Sequence, residues 1–127
     1  MKFTADYRVY RILAVGWMTT IYLLSSIPDL SGPALLTGQD KLFHVLSFAL
    51  LAGFFSFSFK PSKQRVPFTR VLWVTLLVAG YGGFDELHQM HVPGRDASIA
   101  DLFADAIGGF LAALILWKRR LSSKGPP

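Results

Sequence analysis

The sequence has no cysteine and few charged residues, and each of these absences excludes a class of protein. Without cysteine the chain can form neither a disulfide framework nor a thiolate metal site. Charged residues make up only 17% of the 127 residues, whereas hydrophobic residues make up 52%. This balance is too apolar for a soluble domain of such a size. No internal repeat appears, so one compact unit of the membrane class is expected.

Four long apolar stretches predict transmembrane helices. The first two and the last approach the roughly 20 apolar residues that cross a bilayer as a helix, and the third reaches that length when it continues into DELHQ. The first stretch is expected to be retained rather than cleaved, because its end, SSIP, lacks a small-x-small cleavage site. The predicted fold is all-α, a polytopic four-transmembrane-helix bundle in a single domain, 1–121, followed by a flexible cytoplasmic tail, 122–127. The helices are predicted at about 9–28, 41–59, 67–90 and 97–118.

Basic residues fix the predicted orientation of these helices. Eleven of the 13 lysines and arginines precede the first helix, lie between the second and third, or follow the fourth, and only Lys41 and Arg95 lie on the opposite side. The positive-inside rule then places both termini in the cytoplasm. Seven of the eight acidic residues lie towards the outside. The basic net charge is therefore explained by the membrane topology and by attraction to membrane lipids. No nucleic-acid partner is expected.

Polar residues gather where three segments meet the predicted outer surface. The segments are QDKLFHVLSF, GGFDELHQ and VPGRDASIADLFADAIGG. Asp40 and His44 are four residues apart and so share one helix face. Asp85, Glu86 and Gln89 can line one side of the end of the third helix. These residues predict a polar site at the outer membrane surface.

The fourth predicted helix contains the clearest signal in this region. Ser98-x-x-Asp101 fits a capping box, so a structural role and a functional role both remain open for these two residues. Asp105 lies one turn deeper, where an ionised carboxylate costs about 2.5 to 3.5 kcal/mol. It should therefore face the bundle and have a partner. The candidate partners are Arg95, Lys41 and His44.

Two kinds of chemistry are compatible with these side chains. His44, Glu86 and Asp105 are candidate catalytic residues for acid–base work, although the sequence assigns no role to any of them. A divalent cation is the cofactor that the carboxylates would take, since hard cations prefer oxygen ligands. His88-x-x-His91 lacks the spacing of the helical zinc-protease motif. The candidate cation ligands are Asp85, Glu86, Asp101 and Asp105, with Gln89 beside them.

Small residues predict where helices approach one another. Ala104 and Gly108 are four residues apart on the fourth helix, Gly109 is offset by one, and Gly83 lies on the third helix. Such small-x-x-x-small faces allow close helix packing. The same faces can join two chains, so a homodimer stays open. The aromatic residues, including Trp17, Trp73 and Trp117, are expected at lipid-facing or interfacial positions.

The order DKLFH (40–44), DELHQ (85–89) and PGRDASIADLFADAIGG (93–109) resembles the VanZ-like family of small bacterial integral membrane proteins. That family is named for a member associated with resistance to the glycopeptide teicoplanin. The resemblance implies a multi-pass protein of the bacterial cytoplasmic (inner) membrane and the cell envelope. Matched to the family pattern, the ligand-binding residues would be Asp40, Lys41, His44, Asp85, Glu86, Gln89, Arg95, Ser98, Asp101 and Asp105.

Three functions fit these expectations. The first is binding, at the outer surface, of the headgroup of a lipid, a lipid-linked envelope precursor or a lipoglycopeptide antibiotic, with a contribution to teicoplanin resistance. Lys41, Arg95 and protonated His44 would hold the anionic group, which predicts loss of binding in Arg95→Ala. The second is a membrane-embedded hydrolase or transferase that acts on a lipid-linked substrate by acid–base or metal-assisted chemistry. The third is a structural or partner-binding membrane protein.

Overall fold

The computed structural model describes residues 6–28, 38–60 and 66–122, and these residues form four helices and no strand. The all-α prediction is confirmed for this part of the chain. Most of the predicted tail, 123–127, lies outside the described residues. So do five charged residues used in the topology prediction: Lys2, Asp29, Lys63, Arg65 and Lys124. The helices are α1 (Tyr7–Ser25), α2 (Gln39–Ser58), α3 (Thr69–Gln89) and α4 (Ile99–Ser122).

The ends of α1 and α4 differ from the predicted ends for local reasons. Helix α1 begins two residues earlier than expected because Asp6 caps it, its Oδ1 accepting from the Arg8 amide at 3.1 Å. Helix α4 continues past the predicted end and includes Arg119 and Arg120 in its last turn. Cations at that position interact favourably with the helix dipole. Caps and dipole partners therefore extend both helices beyond their apolar stretches.

The four helices run alternately up and down, which gives the bundle two distinct ends. The end of α1, the start of α2, the end of α3 and the start of α4 meet at one end, which we call the polar end. Contacts across it include Ser25 to Asp85 and His44 to Asp105. At the opposite, basic end, Arg11 donates to the Ser58 carbonyl oxygen at 3.2 Å. The three segments that the sequence predicted to meet do meet at the polar end.

The distribution of polarity is that of a protein surrounded by lipid. Within the described residues, α2 and α4 are long and apolar enough to cross a membrane, and α1 and α3 do not meet the same criterion of length and hydropathy. Large hydrophobic side chains point outward on all four helices, such as Ile12, Trp73 and Phe103. Asp85 and Asp105, by contrast, are buried. A water-soluble protein rarely exposes so much contiguous apolar surface, so this distribution indicates a membrane protein.

Glycines set the closest approaches between helices. A Cβ added at Gly108 of α4 would lie 2.3 Å from the Val45 carbonyl oxygen of α2, and one at Gly109 would lie 2.7 Å from Val78 Cγ1 of α3. On α3 the tight position is Gly82 rather than Gly83, where an added Cβ would meet only Leu102 Cδ1 at 4.0 Å. A one-residue step turns a helix by about 100°, so Gly82 lies directly against Asp105 of α4, whereas Gly83 leaves room for a methyl group beside Leu102.

Two of the tryptophans donate hydrogen bonds inside the bundle. Trp17 Nε1 donates to the Ser47 carbonyl oxygen at 2.9 Å and joins α1 to α2. Trp117 Nε1 donates to the Val66 carbonyl oxygen at 2.8 Å near the basic end. Trp73 is exposed, as expected for a lipid-facing residue. The partly buried pair combine apolar packing with a hydrogen bond to a backbone carbonyl of a neighbouring segment.

Candidate functional site

The centre of the polar end is a hydrogen bond between an imidazole of α2 and a carboxylate of α4. His44 Nδ1 lies 2.8 Å from Asp105 Oδ1. Asp105 is completely buried, whereas the His44 side chain keeps 19% of its surface exposed. Of the three partners considered for Asp105, His44 is therefore the one that contacts it. A carboxylate on Nδ1 fixes the ring orientation and leaves Nε2 as the nitrogen with a free lone pair.

Two further buried carboxylates converge on the same imidazole. His44, Glu86 and Asp101 each offer one nitrogen or oxygen atom within 4.8 Å of the other two, and they come from α2, α3 and α4. Glu86 is 7% exposed and Asp101 8%. Glu86 Oε1 and Asp101 Oδ1 are both buried without a hydrogen-bond partner, as is Asp105 Oδ2. Buried polar atoms normally have partners, so this group is unusual within the described structure.

The other oxygen of Glu86 shows how that side chain is held. Glu86 Oε2 accepts a hydrogen bond from the Ser98 amide at 2.7 Å. In a capping box that amide would instead bond to the side chain of Asp101. Glu86 thus takes the place of the expected internal partner at the start of α4, and Asp101 is left directed towards His44. The contact explains why Asp101 is available to the cluster.

Lys41 lies at the rim of the cluster rather than within it. Its Nζ is 2.9 Å from Asp40 Oδ2 and 3.3 Å from Asp101 Oδ1, the second contact being an ion pair without hydrogen-bond geometry. The Lys41 and Asp40 side chains are about half exposed. One ammonium therefore stands beside the cluster of Glu86, Asp101 and Asp105, where negative groups outnumber positive ones.

Asp85 belongs to a separate contact, although the sequence grouped it with Glu86. Ser25 Oγ donates to Asp85 Oδ1 at 2.6 Å, and Gln89 Nε2 donates to Asp85 Oδ2 at 2.8 Å. Both oxygens are thus occupied, and the side chain joins α3 to α1. Adjacent residues on a helix point about 100° apart, which directs Asp85 and Gln89 towards α1 and Glu86 towards α4. The three side chains do not line one side of α3.

Arg95 also lies away from the cluster. Its Nη2 donates to the Leu24 carbonyl oxygen at 2.8 Å and its Nε to the Ile27 carbonyl oxygen at 3.2 Å. Within the described residues no ion pair joins Arg95 to a carboxylate. Leu24 lies in the last turn of α1 and Ile27 lies just beyond its end, where carbonyl oxygens lack the regular helical amide partner. Arg95 therefore ties the end of α1 to the segment that leads into α4.

The two remaining histidines have separate partners. His88 lies in the last turn of α3, where Nε2 is 2.8 Å from Ser26 Oγ and the ring stacks on Tyr22 at a centroid distance of 4.3 Å. His91 Nδ1 is 2.9 Å from the Leu87 carbonyl oxygen. His88 is thus part of the contact between α1 and α3.

Sequence reasoning missed two residues that shape this end of the bundle. Ser25 had no motif to single it out, because a serine near a helix end is common. Gly82 packs against Asp105, since an added Cβ there would lie 2.6 Å from Asp105 Oδ2. The pair Gly82-Gly83 was visible in the sequence, but the rotation of α3 decides which of the two faces Asp105.

Comparison with known proteins identifies the chain at the level of its family. No curated protein and no solved structure is detectably similar to it. The sequence profile of the VanZ/LLP1 family matches residues 4–121, nearly the whole chain. The matched region includes α1, α2, α3, all but the last residue of α4, and every residue of the cluster at the polar end. The chain therefore belongs to the VanZ/LLP1 family.

Proposed function

We propose that this protein crosses the bacterial cytoplasmic membrane four times, with both termini in the cytoplasm, and acts as a hydrolase or transferase on an amphiphile of that membrane. The substrate class is a lipid or a lipid-linked envelope precursor whose headgroup reaches the polar end from the outer leaflet. The observation that carries this proposal is His44, held by the buried Asp105 while part of its own ring stays exposed.

Charge and packing support the four-span topology. The bundle alternates in direction, and its basic end carries Arg11, Arg70 and Arg120 among the described residues. The polar end collects the buried acids. Outward-facing hydrophobic residues cover α1 and α3 as well as α2 and α4. An end rich in arginine favours the cytoplasmic side, and the polar end then faces outward.

The geometry favours chemistry over simple capture of an anion. Arg95 is engaged by backbone carbonyls, and Lys41 already pairs with Asp40 and Asp101. The interior of the site offers carboxylates, which repel a phosphate headgroup. An imidazole oriented by a buried carboxylate has instead the arrangement that enzymes use to present Nε2 to a proton or to a cation.

Comparison of the membrane lipids of different strains tests this proposal and does not require the substrate to be known beforehand. Cells that produce wild-type protein, His44→Ala or the exposed control Asp96→Asn would be extracted and their lipids compared by liquid chromatography and mass spectrometry. Wild type and Asp96→Asn should lower one lipid species and raise its product, and His44→Ala should not. The decisive follow-up is conversion of the purified lipid by reconstituted protein. Identical lipid profiles in all three strains, with equal amounts of folded protein, would refute the enzymatic proposal.

One observation favours binding without chemistry as the second candidate. An open groove of about 250 Å³ lies between α1 and α3. It is suited to the apolar tail of a membrane lipid, since its walls are mainly hydrophobic and aromatic. Native mass spectrometry of purified protein would show a lipid retained equally by wild type and His44→Ala, with no product formed. The groove is lined by Val15, Met18, Thr19, Tyr22, Tyr81 and Phe84.

A further inference from the structure

We infer that His44, Glu86 and Asp101 form a binding site for a first-row divalent transition metal, Zn²⁺ or Mn²⁺. This inference names the cation that the site of the proposed function binds. For the role of the site, it rests on the proposed function. The three side chains come from three helices, and their ligand atoms lie within 4.8 Å of one another. Small side-chain movements would bring all three ligand atoms to the distance of about 2.0–2.2 Å that one ion requires.

The buried oxygens provide the independent evidence for a cation. Glu86 is more than nine-tenths buried and its Oε1 has no hydrogen-bond partner, although its Oε2 is fixed by the Ser98 amide. Asp101 Oδ1 is likewise buried, with only the looser ion pair to Lys41 beside it. An unpaired buried carboxylate oxygen is strongly destabilising. A cation between these oxygens removes that penalty.

The hydrogen bond behind His44 is the one that a metal ligand requires. Histidine ligands usually donate the second ring N–H to a carboxylate, which fixes the tautomer and makes the ligating nitrogen more basic. Asp105 occupies this position at 2.8 Å from Nδ1, so Nε2 is the nitrogen that faces the ion. The arrangement has both the direct ligands and the supporting carboxylate.

Charge and ligand type narrow the choice of ion. Glu86, Asp101 and Asp105 bring three carboxylates to a space that holds one rim ammonium, Lys41, and one imidazole. A divalent ion balances this surplus. One imidazole nitrogen with two carboxylates suits zinc or manganese better than calcium or magnesium, which prefer oxygen alone. Three protein ligands leave a coordination position open for water or a substrate oxygen.

Metal analysis of purified protein tests the inference directly. Wild type in detergent would be stripped with a chelator, loaded with Zn²⁺ or Mn²⁺, passed through a desalting column and analysed for metal by mass spectrometry. Affinity for Zn²⁺ would come from competition with a chromophoric chelator. Wild type should retain about one ion per chain. Glu86→Gln and His44→Ala should lose it, and Asp105→Asn should weaken binding about 10- to 100-fold.

Two controls exclude adventitious binding. Asp96→Asn removes an exposed carboxylate from the segment that leads into α4, and His91→Gln removes an exposed imidazole after the end of α3; both should bind Zn²⁺ as wild type does. Equal binding by these controls and by Glu86→Gln, or no retention of either ion by folded wild type, overturns the inference. Because Glu86→Gln can affect folding, the thermal shift of wild type on addition of Zn²⁺ is measured as well. It should rise with Zn²⁺ concentration, and its absence counts against the site.

The outcomes separate this inference from the proposed function. Metal retention together with unchanged lipids would support the metal site and refute the enzymatic role. A lipid product that depends on His44, formed by wild type that retains no metal, would refute the site and leave acid–base chemistry in its place.

Discussion

Replacement of Gly108 by alanine should separate α2 from α4 and disturb the polar cluster. The added Cβ would lie 2.3 Å from the Val45 carbonyl oxygen, which is a backbone atom and cannot rotate away. Ordinary contacts of this kind begin at about 3.4 Å, so the two helices must move apart by about 1 Å. Overpacking of a helix interface costs about 1–3 kcal/mol of folding free energy.

The same displacement reaches the hydrogen bond between His44 and Asp105. Val45 is next to His44 on α2, and Asp105 lies one turn before Gly108 on α4. A separation of about 1 Å would lengthen the 2.8 Å contact beyond the range of a hydrogen bond. We therefore expect Gly108→Ala to lower both the melting temperature and the affinity for Zn²⁺.

Thermal unfolding in detergent and zinc competition would measure these two effects. Gly53→Ala in α2 is the matched control, because an added Cβ there meets nothing within 4 Å. That control should be neutral or slightly stabilising, since alanine favours a helix over glycine. If Gly108→Ala unfolds at the same temperature as Gly53→Ala and keeps its zinc affinity, the close approach does not position the cluster.

Three further substitutions test neighbouring contacts. Gly82→Ala would bring a Cβ to 2.6 Å from Asp105 Oδ2; we expect weaker zinc binding in the competition assay, and unchanged affinity would show that Asp105 moves freely. Ser25→Ala leaves one oxygen of the buried Asp85 without its donor, which should lower the unfolding free energy by about 1.5–3 kcal/mol; thermal unfolding beside Ser25→Thr checks it, and equal stability contradicts it. Arg95→Ala should lower the free energy of unfolding by about 1 kcal/mol, because its bonds to two carbonyls are lost, while zinc affinity stays unchanged. If zinc binding is lost and stability is not, Arg95 is part of the binding site after all.

The sequence predicted the burial of Asp105 for a reason that the structure supports. A carboxylate one turn inside an apolar helix has to face a partner, and His44 was among the few candidates. The low charge of the four stretches and the polar residues at their ends likewise predicted which segments meet. These predictions succeeded because an unpaired charge in lipid costs so much free energy that few arrangements of the helices are possible.

The residues that sequence reasoning misplaced share a different cause. Arg95 was expected to meet an anion, but its partners are backbone carbonyls, which every helix end has and no sequence motif marks. Asp85 and Glu86 were assigned to one face, yet they point to different helices because α3 packs between two neighbours. Gly82 and Gly83 are equivalent in composition and differ only in the rotation of α3. Rotation about a helix axis depends on the whole bundle and is therefore poorly determined by local pattern.

The origin of the cluster on three helices has a consequence for biosynthesis. His44 and Glu86 emerge from the ribosome before Asp101, and α4 follows the other three helices in the chain. Domains made this way assemble from the N-terminal side onward. His44 of α2 and Glu86 of α3 therefore meet the carboxylates of α4 only after α4 has been made, so the completed cluster marks the end of assembly. A chain interrupted before α4 would keep His44 without Asp105 and Glu86 without the Ser98 amide, so both side chains would be left without the partners that hold them.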